Sequence, residues 1–236
     1  MKEVTLFCLP FAGGSRYSYR ELAKLATHNI QVTPIEIPGR GSRINEPLLD
    51  DCISVVDDIF HQIKDELDTP YAIYGHSMGT LLGYVLVQRI LQEQVRRPIC
   101  LFFSGGPGPS SRGYRPDYHD LPADQFFEKI KQLGGIPDEI AKDRKLLAYF
   151  EPVLRADFKV TETYNYIQTR PFDIPIVVMI GTEEDITKEQ ALSWQLETTY
   201  ELEFYQFQGG HFFLYDHTFN IMKLISSRLT QRLYAI

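Results

Sequence analysis

Residues 71–91 read Tyr71-Ala72-Ile73-Tyr74-Gly75-His76-Ser77-Met78-Gly79-Thr80-Leu81-Leu82-Gly83-Tyr84-Val85-Leu86-Val87-Gln88-Arg89-Ile90-Leu91. Four apolar residues lead into Gly-x-Ser-x-Gly, and the long apolar segment behind it holds no helix breaker except Gly83. The pattern predicts a strand, a sharp turn and a helix. Glycines two before and two after the serine let the strand and helix backbones pass closely, which forces Ser77 to the tip of the turn above the strand end.

Working outward, residues 4–9 are apolar and β-branched and predict a first strand, which runs into Pro10-Phe11-Ala12-Gly13-Gly14-Ser15 before a helical stretch at 17–27. The glycine pair has neither G-x-G-x-x-G spacing nor the Lys-Ser/Thr of a Walker sequence, so a phosphate loop is rejected. A second strand is expected at 30–37, closed by Pro38-Gly39-Arg40-Gly41. Residues 48–67 follow as an amphipathic helix that turns Ile53, Val56, Ile59, Phe60 and Ile63 inward. A further strand is expected at 99–104. Strands alternating with helices in this way imply right-handed crossovers and a mostly parallel α/β sheet, with ligands bound beyond the carboxyl ends of its strands.

The alternation stops at Gly105-Gly106-Pro107-Gly108-Pro109-Ser110-Ser111, and no strand pattern returns until Ile176. An insertion at about 107–168 is expected, with a helix at 123–133 presenting Phe126, Phe127, Ile130 and Leu133 on one side and a second at 142–166 broken by Pro152. A helical insertion at the mouth of the sheet is a lid. Strands at 176–180 and 202–207 and a helix at 218–233 complete a single domain spanning 1–236.

Composition narrows the function classes. The chain has 236 residues, 44% of them apolar, and no apolar run reaches the roughly 18 residues a membrane span needs. Glu3 and the absence of a cleavage region argue against a signal peptide, so a cytoplasmic monomer without membrane association is expected. A net charge of -7 argues against nucleic acid. Cys8, Cys52 and Cys100 have no paired spacing and read as reduced core residues.

Two late segments carry chemistry. Gly181-Thr182-Glu183-Glu184-Asp185 and Gly209-Gly210-His211 each lie just beyond a predicted strand. A serine hydroxyl attacks only when an imidazole takes its proton, and the imidazole needs a carboxylate to fix its tautomer. Ser77, His211 and Asp185 fit those roles in the chain order found in α/β hydrolases. Only one of three adjacent acids can reach inward, so Glu184 is held in reserve; Asp117 and Asp120 are remoter choices. His76 is expected to point away from the serine, His119 falls in the insertion, and His217 lies near the final helix. Backbone N–H groups of Ala12 and Met78 are placed to hold an oxyanion.

Six segments together resemble the type II thioesterases, stand-alone editing enzymes associated with nonribosomal peptide and polyketide synthases. They are Leu9-Pro10-Phe11-Ala12-Gly13-Gly14-Ser15, Pro38-Gly39-Arg40, Gly75-His76-Ser77-Met78-Gly79, Leu133-Gly134-Gly135-Ile136-Pro137, Leu154-Arg155-Ala156-Asp157-Phe158 and Gly209-Gly210-His211-Phe212-Phe213. The resemblance implies an α/β-hydrolase fold and hydrolysis of acyl or aminoacyl thioesters from the phosphopantetheine arm of carrier protein domains. It implies no metal and no cofactor, since pantetheine arrives with the substrate. The family acid matches Asp185, with an alignment loose by one residue. A carrier would dock on a locally basic face, for which Arg40, Arg43, Arg112 and Arg115 are the candidates. A small-molecule esterase or acyltransferase would use the same triad, and a non-catalytic carrier-binding module is the alternative from another class.

Overall fold

A computed structural model of the chain describes residues 4–111, 117–134 and 143–234. Six strands, β1 (Val4–Leu9), β2 (Ile30–Pro34), β3 (Tyr71–His76), β4 (Leu101–Ser104), β5 (Ile176–Gly181) and β6 (Glu203–Phe207), form one sheet in the order β2-β1-β3-β4-β5-β6. Every pairing is parallel. β1, β3, β4 and β5 are almost wholly buried, as expected for strands covered on both faces. β2 is shorter than expected. It ends at Pro34, which has no N–H to continue a ladder and sits at the sheet edge.

The helices are α1 (Arg20–Lys24), α2 (Cys52–Ile63), α3 (Met78–Gln92), α4 (Ala123–Gln132), α5 (Arg144–Glu162), α6 (Lys188–Leu192), α7 (Phe213–Asp216) and α8 (Thr218–Tyr234). One core, on the α2 and α3 side, joins Val56, Ile59, Leu81, Leu82, Val85 and Trp194 to the strand side chains Phe7, Ile73 and Phe103. The opposite core packs Leu22 of α1 and Ile221, Met222, Ile225 and Leu229 of α8 on Leu6, Ala72 and Val177. In α2 the inward residues are Cys52, Val55, Val56, Ile59, Phe60 and Ile63. Ile53, expected among them, is 56% exposed because its neighbour Cys52 takes the core-facing position.

Chain order and sheet order diverge at β1. The segment after β1 crosses to the α1 face and the segment after β3 to the α3 face, so a crevice opens between the carboxyl ends of these two neighbours. Leu9 pairs with Gly75 at its floor.

Between β4 and β5 lie α4 and α5. Pro152 does not break α5, which runs unbroken from Arg144 to Glu162. An interior proline costs about 3 kcal/mol of helix propensity, and burial of Leu154, Ala156, Asp157 and Val160 beyond it offsets that cost. A separate small core of Phe126, Ile130 and Leu154, flanked by Tyr118, Leu121, Phe127, Phe150 and Phe158, holds the two helices together. Gly135, Ile136, Pro137, Arg112, Arg115 and Lys142 lie outside the described residues. The three cysteines are buried and none is in a disulfide among the described residues. No helix among the described residues is long and apolar enough to cross a membrane.

Candidate active site

Ser77 sits between β3 and α3 at φ 54°, a left-handed backbone conformation that costs a non-glycine residue energy and persists only where the surroundings enforce it. Those surroundings are backbone. A Cβ on Gly75 would lie 2.1 Å from the carbonyl oxygen of Gly79, and one on Gly79 would lie 2.8 Å from that of Leu9. Side chains at either position would push strand and helix apart and flatten the turn. The Ser77 N–H donates to Ser104 O at 2.8 Å, and Thr80 Oγ1 donates to Ser77 O at 2.7 Å.

His211 follows β6 in a turn begun by Gly209 and Gly210. A Cβ on Gly181 would meet the carbonyl oxygens of Gly209 and Gly210 at 2.5 and 2.6 Å, so the β5 and β6 ends approach closely enough to share one rim. His211 Nε2 lies 3.0 Å from Ser77 Oγ, and Nδ1 lies 2.8 Å from Glu184 Oε2. A carboxylate only accepts, so Nδ1 carries the proton and Nε2 is left as the acceptor for the serine hydroxyl.

The carboxylate at His211 is therefore Glu184 and not Asp185, which corrects the preferred assignment. The cause is the turn after β5. Thr182 N–H donates to Phe207 O and Glu183 N–H to Gly209 O, both at 2.8–2.9 Å, which pins the first two residues to the β6 end. Glu184 then folds back so that Oε1 accepts from Gly181 N–H at 2.7 Å and Oε2 faces the imidazole. Its side chain is only 1% exposed. Asp185 is exposed at the outer edge of the same cleft, and Glu183 is bonded to Gln208. Asp117 and Asp120 belong to the insertion, with Asp120 at its surface beside His119.

His76 turns away from the serine, as expected, and packs beneath the site. Its Nδ1 is 2.8 Å from Ser104 Oγ, and its ring centre is 5.0 Å from that of His211. Burial, and then the neighbouring His211, hold its pKa well below the usual imidazole range. His217 bonds Gln208 O. His119 Nδ1 lies 2.6 Å from Glu162, a carboxylate that also accepts from the backbone N–H groups of Tyr118 and His119.

Above the pair lies a cleft of about 450 Å³. Ala12, Ser77, Met78 and His211 line its floor, and Tyr118, Leu133, Phe158 and Thr161 of the insertion line its roof. Among the described residues, no group of three or more His, Cys, Asp or Glu side chains is arranged to hold a metal ion.

Two of the docking candidates have acidic partners within the chain. Arg40 is buried, and its guanidinium grips both oxygens of Asp157 at 2.6 and 2.7 Å. Arg43 is engaged by Asp58, Glu46 and the Glu36 carbonyl, so its charge is already neutralised. The Arg40–Asp157 pair is not among the expected catalytic residues, although each partner lies in one of the six segments that carry the resemblance; nothing local links the two.

A family model described as "Thioesterase domain" matches residues 4–229. The gramicidin S biosynthesis protein GrsT of Aneurinibacillus migulanus is 32% identical over 96% of this chain and 89% of its own length. ClbQ, from the colibactin nonribosomal peptide and polyketide pathway, superimposes with a TM-score of 0.94 at 29% identity, covering 100% of both chains. The type II thioesterase BorB, from the borrelidin biosynthetic cluster, gives a TM-score of 0.88 at 28% identity over 96% of this chain and 93% of that one.

Proposed function

The chain belongs to the thioesterase family, and on that footing we propose that it hydrolyses acyl or aminoacyl thioesters carried on the phosphopantetheine arm of carrier protein domains. In this reading it clears misprimed or stalled sites of a nonribosomal peptide or polyketide synthase. The observation that carries it is the unbroken hydrogen-bonded line from Ser77 Oγ through His211 to Glu184, opening into the cleft.

Ser77 Oγ attacks the thioester carbonyl carbon as its proton passes to His211 Nε2. Glu184 holds the Nδ1 proton and steadies the imidazolium. The N–H groups of Ala12 and Met78 take the oxyanion; Met78 is the first residue of α3, where helix N–H groups have no intrahelical partner. Collapse breaks the C–S bond, and His211 returns the proton to the departing sulfur. Water then gives a proton to His211, adds to the acyl carbon and expels Ser77 Oγ, which recovers that proton. The insertion at about 107–168 acts as the lid that shapes the acyl channel. No metal or cofactor enters the scheme.

Ser77→Ala is expected to lower turnover of an acyl-carrier thioester on the order of 10⁶-fold, by analogy with other triads, with an unchanged melting temperature. A variant with normal turnover would sink the assignment. Faster hydrolysis of a simple nitrophenyl ester than of the carrier-bound thioester would favour a small-molecule esterase instead.

A further inference from the structure

The loop after β1 makes a tight turn. Gly14 N–H donates to Phe11 O at 2.8 Å, and Gly13 in the third place has φ +74°, the conformation a type II turn requires there. Ala12 is the second residue of this turn. The N–H of Gly14 is thus used within the turn, while the N–H of Gly13 points outward to the insertion.

There α5 seizes it. Asp157 Oδ2 accepts from Gly13 N–H at 2.7 Å, and one turn earlier Leu154 closes on the same residue, so near that a Cβ on Gly13 would lie 2.7 Å from Leu154 Cδ2. Arg40 completes the joint. It donates to both oxygens of Asp157 at 2.6 and 2.7 Å and to Gly14 O at 3.3 Å. Asp157 is fully buried and Arg40 is 5% exposed. A buried ion pair is weak evidence of stabilisation, because desolvation cancels much of its attraction. What this pair does supply is direction: a bidentate guanidinium holds the carboxylate in plane, so the lone pair left on Oδ2 faces Gly13 N–H along one line.

We propose that Asp157, oriented by Arg40, is a positioning residue for the oxyanion loop: it grips Gly13 N–H from the lid helix and thereby fixes the attitude of Ala12. Seating of α5 and assembly of the oxyanion hole are then one event. The inference rests on the reading of Ala12 as an oxyanion donor.

Two paired replacements separate this role from bulk stability. Arg40→Met/Asp157→Leu removes the charges and the grip together. Arg40→Gln/Asp157→Asn removes the charges but keeps an amide oxygen for Gly13 N–H. With a carrier-bound acyl thioester, the apolar pair should lose kcat by roughly 10²- to 10³-fold, the cost of one oxyanion donor, with KM little changed. Affinity for a trifluoromethyl ketone analogue, whose tetrahedral adduct occupies the same hole, should fall in parallel. The amide pair should keep kcat within about tenfold of the parent. A folded apolar pair with normal kcat overturns the proposal, as does an equal loss in both pairs. Should the apolar pair fail to fold, Asp157→Asn and Asp157→Ala are compared below their melting temperatures: a loss of kcat and of analogue affinity clearly larger in the alanine variant, at similar KM, supports the grip, and equal retention or equal loss in the two overturns it. Ser77→Ala assayed beside them keeps the two readings apart. An inactive Ser77→Ala with a fully active apolar pair refutes only the positioning role, whereas an active Ser77→Ala refutes the triad.

Discussion

The β3–α3 unit and the α4–α5 lid face each other across one cleft, yet they are held by opposite means. The elbow is set by backbone against backbone, Gly75 on Gly79 and Gly79 on Leu9, inside a helix whose residues from Met78 to Val87 are all buried. The lid has a small core of its own, sends one side chain, Val160, into the main core, and is otherwise held by charged side chains: His119 on Glu162 and Arg155 on Glu151 and over the Phe126 ring within it, and Asp157 on Arg40 across to the body. Close-packed backbone has one arrangement, whereas polar fastenings between distant segments can be made and released as units. In the proposed reading, the nucleophile thus stands on the part that cannot yield, and the acyl chain enters beneath the part fastened by polar contacts.

The largest effect that tests the rigid side is at the acid. Glu184→Gln should lower kcat on the order of 10⁴-fold, since an amide can donate to Nδ1 and hold the imidazole in the wrong tautomer. Asp185→Asn should change kcat no more than a few-fold. Steady-state kinetics on a carrier-bound thioester compares them. The reverse ranking would mean that the β5 turn is not pinned as described.

That one-residue displacement marks where the sequence stops being legible. The strands, the elbow and His211 can be read because each depends on local signals: apolar runs, glycines at fixed offsets, a loop beyond a strand. Glu183, Glu184 and Asp185 carry the same charge in a row, and the choice among them is made by two hydrogen bonds to the β6 end, 25 residues or so further along. Arg40 and Asp157 fail the local reading more completely. Each looks like a surface charge, and only the fold, which closes 117 residues of chain between them, buries the pair. Pro152 misleads in the other direction, since propensity argues for a break that burial of the following turn overrides.

A second, smaller effect probes the body through pH. His76 is held neutral by burial and by His211, its pKa depressed in the folded state. Below the unfolded value of about 6.5, the unfolded chain takes up a proton that the folded form refuses. Stability therefore falls as pH drops from there toward the folded pKa, by up to about 1.4 kcal/mol per pH unit, and is unaffected by this group above that window. Urea unfolding of the parent and of His76→Gln between pH 5 and 8 should give curves that run parallel above about pH 7 and diverge below it, the variant losing less. Identical acid limbs would show that the imidazole is not the group refused its proton.

The smallest effect expected is confined to the lid. Glu162 accepts from Tyr118 N–H, His119 N–H and His119 Nδ1, three bonds on a side chain only 1% exposed, and it ties the start of the insertion to the end of α5. Gln keeps one acceptor oxygen and turns the other into a donor facing donors. Losing a buried acceptor costs about 1–3 kcal/mol, and the cost is expected to fall on local opening of 117–134, because Phe126 and Ile130 pack in a cluster separate from the two main cores and only Val160 of α5 enters one of them. Hydrogen exchange should therefore quicken about tenfold for amides in 117–134, while peptides covering 71–92 keep their protection. Equal acceleration in both would mean that lid and elbow unfold as one unit, and the contrast between a fixed nucleophile and a releasable cover would not hold.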